Sequence, residues 1–399
     1  METKLVAPPE PKEITLGVMG GGQLGRMFVH AAQRMGFFTA VLDPDLNSPA
    51  GRVSHHHVRT AYADVVGLKH LSTKCVAITT EFENVPSQAL AKLATTRTVS
   101  PSAEAVAIAQ DRAAEKAHFV KCKVPVAPFA VIDTPQQLAG VVPSLLPGIL
   151  KTTRLGYDGK GQVRVSNREE LQRAWDTLKN VPCVLEKMLP LQLECSVIVA
   201  RGADGACVNL PVQRNLHRDG ILAVTEVYEG NMPESLMVQA VSAAKSIANE
   251  LNYVGVLCVE FFVLDGKSAA AKELGRLVVN EIAPRPHNSG HYSIDACDVS
   301  QFELQVRTLA KLPLTQPRQH SPAIMLNLLG DIWPGDGLDG AEPPWAAVLA
   351  LPGTHLHLYG KAKATKGRKM GHLTVTGATV EQVRATALEA ARLLGIAAF

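Results

Sequence analysis

Residues 151–162 read Lys-Thr-Thr-Arg-Leu-Gly-Tyr-Asp-Gly-Lys-Gly-Gln, with glycines at 156, 159 and 161 and the cations Lys151, Arg154 and Lys160 around them. Glycine lets backbone N–H groups close on an anion without side-chain obstruction, and lysine supplies charge to phosphate oxygens. Hydrogen bonds to ions contribute roughly 1.5–3 kcal/mol each. Such a run serves either as a flap over a triphosphate or as a basic hairpin in solvent. Further on, Glu260 sits inside the apolar run Val254–Leu264, and Asn280 and Glu281 sit inside Leu277–Ile282. Buried carboxylates are costly unless paired or metal-bound. On neighbouring antiparallel strands the two acids can share one magnesium ion, which takes oxygen ligands and bridges phosphates, or they can pair with nearby cations. The stretch 283–291, Ala-Pro-Arg-Pro-His-Asn-Ser-Gly-His, follows directly. Two prolines stiffen a loop dense in donors. Beside a metal strand it suits an oxyanion or phosphoryl clamp; otherwise it is a capped loop entering a helix near 301–312.

The elements that must hold these groups are legible from periodicity. Ile149–Leu150 and Val163–Val165 flank the glycine run, which gives strand, loop, strand. A helical pattern over 169–178 leads to a strand at 184–189 that runs into Pro190. A strand ending in proline leaves unpaired backbone groups able to meet an adenine edge. Glu194, opening the next strand at 196–200, could hold ribose hydroxyls or be merely exposed at a hinge. A helix is expected over 236–249, and 265–276 reads as a polar connection.

At the other end, a strand over 14–19, the turn Gly20-Gly21-Gly22-Gln23-Leu24-Gly25, a helix and a second strand ending at Asp43 match the dinucleotide-binding pattern. The same turn can receive any phosphate at a helix N-terminus, or simply pack. A strand over 76–80 ends in Glu81-Phe82-Glu83-Asn84, where open parallel sheets bind ligands. His55-His56-His57 does not read as a metal site, because adjacent side chains diverge. A helix pair is expected over 101–121 and a linker from Pro125, so the first domain ends near 115–125. Residues 313–344 are turn-rich, 356–361 and 373–375 read as short strands, 367–372 as a basic turn and 380–394 as an amphipathic helix.

The 399 residues carry 46% apolar and 19% charged side chains, with a net charge of +3. That is globular, and too weakly and diffusely basic to argue for nucleic acid. No apolar run reaches membrane-spanning length. Seven scattered cysteines with no Cys-x-x-Cys pair favour reduced thiols and a cytoplasmic protein over a disulfide framework or a zinc site. Residues 1–13 read as a loose tail.

Five segments together resemble the ATP-grasp carboxylate–amine ligases, most closely the carboxyaminoimidazole ribonucleotide synthases of purine biosynthesis. They are 20–27 (Gly-Gly-Gly-Gln-Leu-Gly-Arg-Met), 81–85 (Glu-Phe-Glu-Asn-Val), 156–162, 280–291 and 367–372 (Gly-Arg-Lys-Met-Gly-His). The resemblance spans about 16–394. It implies an α/β and α+β chain: an ATP-grasp fold with an N-terminal Rossmann-like (preATP-grasp) domain and a small C-terminal β-rich domain. Expected bounds are 14–120 for the first domain, 121–190 for the flap domain, 191–315 for the central domain with the metal site and 316–399 for the last. The implied reaction phosphorylates bicarbonate with ATP and carboxylates the amine of 5-aminoimidazole ribonucleotide. Magnesium assists, as two ions, with manganese able to replace it. A homodimer and a separate mutase downstream are implied as well.

Carried over by position, the resemblance assigns Arg112, Lys151, Gly156, Tyr157, Asp158, Gly159, Lys160, Gly161 and Gln162 to the ATP phosphates and their cover. Glu186, Lys187, Met188 and Leu189 take adenine, Glu194 ribose, and His217 and Asn280 adjoin the nucleotide. Glu260 and Glu281 bind metal. Tyr157, Asp158, Arg285 and Lys361 are the catalytic set. Gln23, Glu81, Glu83, Asn84, His287, Asn288, Ser289, Lys361 and Arg368 line the ribonucleotide site. Thr153 and Leu155 stand where relatives commonly carry arginine and a further glycine, and Thr365-Lys366 replaces a common Arg-Pro, which moves the local basic contact to Lys366. The Glu-Phe-Glu-Asn and Gly-Arg-Lys-Met-Gly-His segments favour this reading over a formate-dependent glycinamide ribonucleotide transformylase of the same fold. A dinucleotide-dependent oxidoreductase would leave the flap and the acid pair unexplained.

Overall fold

The computed structural model describes residues 13–156, 161–335 and 341–399. Eighteen strands are assigned among them. The first five are β1 (Thr15–Met19), β2 (Phe38–Leu42), β3 (His56–Val58), β4 (Ala77–Thr80) and β5 (Thr98–Val99). They form a parallel sheet in the order β3-β2-β1-β4-β5. β1 and β4 are buried along their whole length, as parallel strands covered on both faces must be.

β6 (Phe129–Ile132), β7 (Gly148–Thr152), β8 (Gln162–Val165) and β9 (Cys183–Lys187) make a four-stranded antiparallel sheet, ordered β6-β9-β7-β8. The glycine run joins β7 to β8, with Lys151 opposite Gln162.

The third sheet has nine antiparallel strands. They are β10 (Leu191–Arg201), β11 (Cys207–Asn209), β12 (Gln213–Arg218), β13 (Ile221–Val227), β14 (Gly255–Leu264), β15 (Leu277–Ala283), β16 (Ala323–Leu329), β17 (Thr354–Leu358) and β18 (Lys369–Thr376). The order is β15-β14-β10-β12-β13-β16-β18-β17, with β11 beside β10. β13 pairs with β16, so this sheet runs continuously through the boundary expected at 315/316.

Several expectations need correction here. The turn-rich stretch 313–344 contains β16, six of whose seven residues are buried. A strand covered on both faces shows no alternation, so its signal is only a short apolar run. Asp219 and Gly220 both have positive φ (51° and 77°) and close a β12–β13 hairpin, the Asx-Gly pattern of a two-residue turn. β10 begins before Glu194 rather than after it. Residues 265–276 hold a helix, Ala269–Leu274, capped by Ser268. Lys369–His372 belongs to β18, not to a turn.

One helix joins the layers. Gln301–Leu309 is buried along most of its length and capped by Ser300, whose side chain accepts from Glu303 N. Val306 and Leu309 pack with Leu16, Val18 and Phe28 of the first sheet and its helix. Leu304 packs with Ile198 and Cys258 of the third sheet. Phe302 meets Leu24, Met27 and Tyr359. Gln305 Nε2 donates to Thr79 Oγ1 (3.2 Å). Three apolar contacts on one short helix fix the N-terminal sheet against the third sheet.

Candidate active site

The acid pair is real. Glu260 and Glu281 face each other across β14 and β15, and Ser196 and Gln213 continue the row onto β10 and β12. Each acid has a nitrogen partner. Glu281 Oε2 lies 2.9 Å from Arg112 Nη1, and Glu260 Oε1 lies 3.0 Å from His287 Nε2. Burial alone would push the Glu260 carboxyl up, but the charge and hydrogen bond of His287 override it and hold the group down at about 2. Glu260 is therefore an anion throughout the working range. Asn280, next to Glu281 on β15, has a buried Oδ1 without a hydrogen-bond partner among the described residues. Two carboxylates and an orphaned amide oxygen form an all-oxygen donor set, which suits magnesium or manganese.

Behind the acids lies a second layer that the motifs did not reveal. Helix Arg112–Lys121, capped by Asp111, carries Arg112, Glu115 and Lys116 within two turns. Lys116 is 1% exposed; its Nζ sits 3.1 Å from Glu186 Oε2 and donates to Asn280 O at 2.8 Å. Lys151 Nζ takes the other oxygen of Glu186 at 3.1 Å. Burial lowers the Lys151 pKa, and Glu186 only partly restores it. Between burial, which raises it, and the two lysines, which lower it, the Glu186 carboxyl settles at about 2. The Glu186 side chain thus holds two lysines in place. The strand end is also less open than expected. Lys187 N donates to Pro128 O and Met188 N to Pro147 O, both at 2.9 Å. Leu189 packs against Ala127, Leu264 and Val278. Lys116 could have been suspected from its i,i+4 spacing with Arg112.

The flap base is anchored to the same helix. Arg112 N donates to Thr153 O (2.9 Å), Arg154 Nε reaches Asp111 Oδ2 (3.1 Å) and Arg112 Nη2 reaches Gly156 O (3.3 Å). Thr152 N donates to Gly161 O at 2.9 Å. Tyr157, Asp158, Gly159 and Lys160 lie outside the described residues. Gln162 is exposed. Leu155 has φ 61°, the left-handed conformation that glycine adopts without strain. On the far side, Glu194 Oε2 lies 2.9 Å from His217 Nδ1. Burial opposes the charged imidazole, but Glu194 outweighs it and raises the His217 pKa.

The ribonucleotide set divides. Glu83, from the end of β4, pairs with Arg285 Nε at 2.5 Å, joining the first sheet to the donor loop. Burial raises the Glu83 carboxyl, but Arg285 dominates and brings it to about 2. Asn288 is buried, and its Nδ2 donor has no partner among the described residues. Gln23 and Lys361 are half-buried. Lys361 Nζ donates to Lys369 O (2.7 Å) and lies 5.8 Å from the Tyr359 ring centroid. Tyr359 in turn packs on Leu24 and Met27 of the helix that Gln23 starts. Asn84 is exposed. Arg368 is exposed and donates Nη1 to Lys363 O within its own turn (2.8 Å).

Two members are engaged within the fold. Glu81 is buried, and its oxygens accept from Gly22 N (2.8 Å) and Gly25 N (3.1 Å). Asp43 Oδ2 accepts from Gly21 N (2.7 Å) and from Tyr62 Oη. The amides of Gly21, Gly22 and Gly25 in the glycine turn are thus taken by the chain's own carboxylates, which ties the turn to the ends of β2 and β4. Ser289 is 0% exposed, and its hydroxyl bonds Ser196 Oγ (2.8 Å) inside the sheet. Gln301, unmarked in the sequence, clamps the donor loop. Its Oε1 accepts from His287 N (2.9 Å), and its Nε2 donates to His287 O (2.8 Å).

Comparison with known proteins bears on this arrangement. A ribonucleotide synthetase preATP-grasp domain matches residues 14–110, an ATP-grasp domain 117–302 and a phosphoribosylaminoimidazole carboxylase C-terminal domain 323–386. The N5-carboxyaminoimidazole ribonucleotide synthase of Brucella melitensis is 41% identical over 367 residues, covering 90% of this chain and 95% of its own. The chain belongs to the N5-carboxyaminoimidazole ribonucleotide synthase family. This synthase family makes it an ATP-grasp ligase that forms a C–N bond. The Staphylococcus aureus synthetase, solved as a complex with ADP, is 36% identical with a TM-score of 0.84, over 94% of this chain and 96% of that one. The Aspergillus clavatus synthase, solved with ADP and 5-aminoimidazole ribonucleotide, is 31% identical with a TM-score of 0.85, over 96% and 99%.

Proposed function

We infer that this chain carboxylates 5-aminoimidazole ribonucleotide with bicarbonate, using ATP, to give N5-carboxyaminoimidazole ribonucleotide, ADP and phosphate. The observation that carries this reading is one continuous chain of charged contacts. It runs from Lys151 through Glu186 and Lys116 to the Asn280 carbonyl beside Glu281, which Arg112 pairs, while His287 of the donor loop holds Glu260 and Arg285 of the same loop holds Glu83 on the first domain. The family relatives solved with ADP, and with ADP and aminoimidazole ribonucleotide, support it. Arg112 and Lys151 neutralise the triphosphate while Gly156–Gln162 covers it. Glu260 and Glu281, with Asn280, would hold magnesium, which would supply charge neutralisation for the transferred phosphoryl group. Bicarbonate oxygen attacks the γ-phosphorus and ADP leaves. Arg285 and Asn288 hold the resulting carboxyphosphate, which hydrolyses readily, so closure of the flap must exclude water. Carbon dioxide and phosphate form from it. The exocyclic amine attacks the carbon, forming the C–N bond, and gives its proton to Asp158. Lys361 and Arg368 approach the ribose phosphate from the C-terminal segment.

The flap (121–190), central (191–315) and C-terminal (316–399) segments divide this work with the N-terminal domain (14–120). A cytoplasmic homodimer and a separate mutase that takes the labile product onward complete the proposal. The deciding assay is ADP release with ATP, bicarbonate or aminoimidazole ribonucleotide omitted in turn. Release should require all three. Stimulation by formate and glycinamide ribonucleotide instead would select the sister ligase and overturn the reading.

A further inference from the structure

A second constellation of ligating side chains lies on the C-terminal strands, sharing no residue with the acid pair. β17 and β18 set His357 directly opposite His372, and their rings stack at 4.4 Å with an interplanar angle of 10°. Directly opposed residues on paired strands stand close enough for both imidazoles to reach one ion. His355 lies two residues earlier on the same face of β17. The short helix Ser293–Ala296 brings Asp295 against this face. Asp295 Oδ2 is 2.9 Å from His357 Nε2, and Oδ1 is 3.8 Å from His355 Nδ1.

The second observation concerns His372. It is 0% exposed, and its Nε2 has no hydrogen-bond partner among the described residues. Its Nδ1 lies 3.0 Å from the Tyr359 hydroxyl. With Nδ1 donating to Tyr359, Nε2 keeps its lone pair, which is the arrangement a ligating histidine takes from its supporting partner. One oxygen of Asp295 and one nitrogen each of His357 and His372 lie within 4.8 Å of one another. Ligands around a tetrahedral ion bound at about 2.0–2.2 Å stand about 3.3 Å apart. Binding would draw the donors together and turn the stacked rings so that their lone pairs converge, with the ion in the place of the proton between Asp295 and His357.

We propose that Asp295, His357 and His372 form a binding site for a divalent transition ion of the zinc class, with His355 or water completing it. Two imidazoles and a carboxylate are a ligand set zinc favours over magnesium. The ion would staple β17 and β18 to the helix that follows the donor loop, and so fix how the Lys361 segment meets that loop.

The test titrates the metal-free full-length chain with cobalt(II) in excess magnesium, which keeps the acid pair filled. One equivalent should give visible d–d bands without a thiolate charge-transfer band, and zinc should displace it and raise Tm. Because His372 is fully buried, the substitutions are Asp295→Asn and His357→Gln. Each should weaken cobalt binding by at least about tenfold and remove the Tm response to zinc, while the metal-free far-ultraviolet spectrum stays unchanged. Absence of the bands in the parent chain would overturn the proposal. So would bands that persist in both variants, or a charge-transfer band showing the ion bound to a cysteine thiolate.

Discussion

Lys151 and Lys116 share one carboxylate, Glu186, and all three are buried. Neither lysine is a mobile surface cation. Each is held in one place by Glu186, so any further bond it makes costs little side-chain entropy. Lys151→Ala should slow turnover roughly tenfold to a hundredfold, from about 1.5–3 kcal/mol of lost charge-assisted bonding. Steady-state kinetics check this; unchanged kcat and KM would remove Lys151 from the site. Glu115 offers a different test. It accepts from Ile282 N at 2.7 Å, and burial above all, with the like charge of Glu281, raises its carboxyl from 4.5 to about 8 against the pull of Lys116 and Arg112. Between those values the folded chain keeps a proton that the unfolded chain has released. Stability from this group is complete below about pH 4.5 and declines as pH rises towards about 8. Glu115→Gln should flatten that slope in thermal melts across the range; an unaltered slope would mean another group sets it.

Two elements decide how well the site is held. Helix Arg112–Lys121 ties the flap base, β9 and β15 together through its first turns. Helix Gln301–Leu309 ties the donor loop to both large sheets. Gln301 is 0% exposed and bonds His287 through both its oxygen and its nitrogen. Gln301→Ala should destabilise the chain by about 1–3 kcal/mol, because two backbone groups of the loop lose their partners. Denaturant unfolding measures the loss, and KM for the ribonucleotide should rise with it. A variant as stable as the parent, with parental KM, would show that the loop holds itself.

Over the whole molecule, Arg285 and Glu83 join parts 202 residues apart in sequence. The first sheet and the donor loop therefore meet at a half-buried ion pair, and changing one partner leaves the other charge stranded. Glu83→Gln should raise KM for aminoimidazole ribonucleotide about tenfold to a hundredfold, from about 1.5–3 kcal/mol, with a smaller change for ATP. Equal shifts for both substrates would point to general loosening of the domains. The continuous third sheet adds a mechanical consequence. Because β13 pairs with β16, the C-terminal strands move with the central sheet rather than as a separate lid.

Local pattern alone carried the flap strands, the acid pair on facing strands, the stiff donor loop and the first parallel sheet, because each is written in neighbouring residues. Glycine spacing, a charge inside an apolar run and paired prolines act over a few positions. Resemblance then linked five such stretches into one family. What tertiary structure alone decided was the use of each polar group. Glu81 and Asp43 turned inward to the glycine turn, Glu186 went to two lysines, and Ser289 went to the sheet. Lys116, Glu115 and Gln301 entered the site from helices with no motif of their own. Whether a buried donor or acceptor serves the ligand or the fold depends on which partner lies within hydrogen-bond reach, and those partners are tens to hundreds of residues away along the chain.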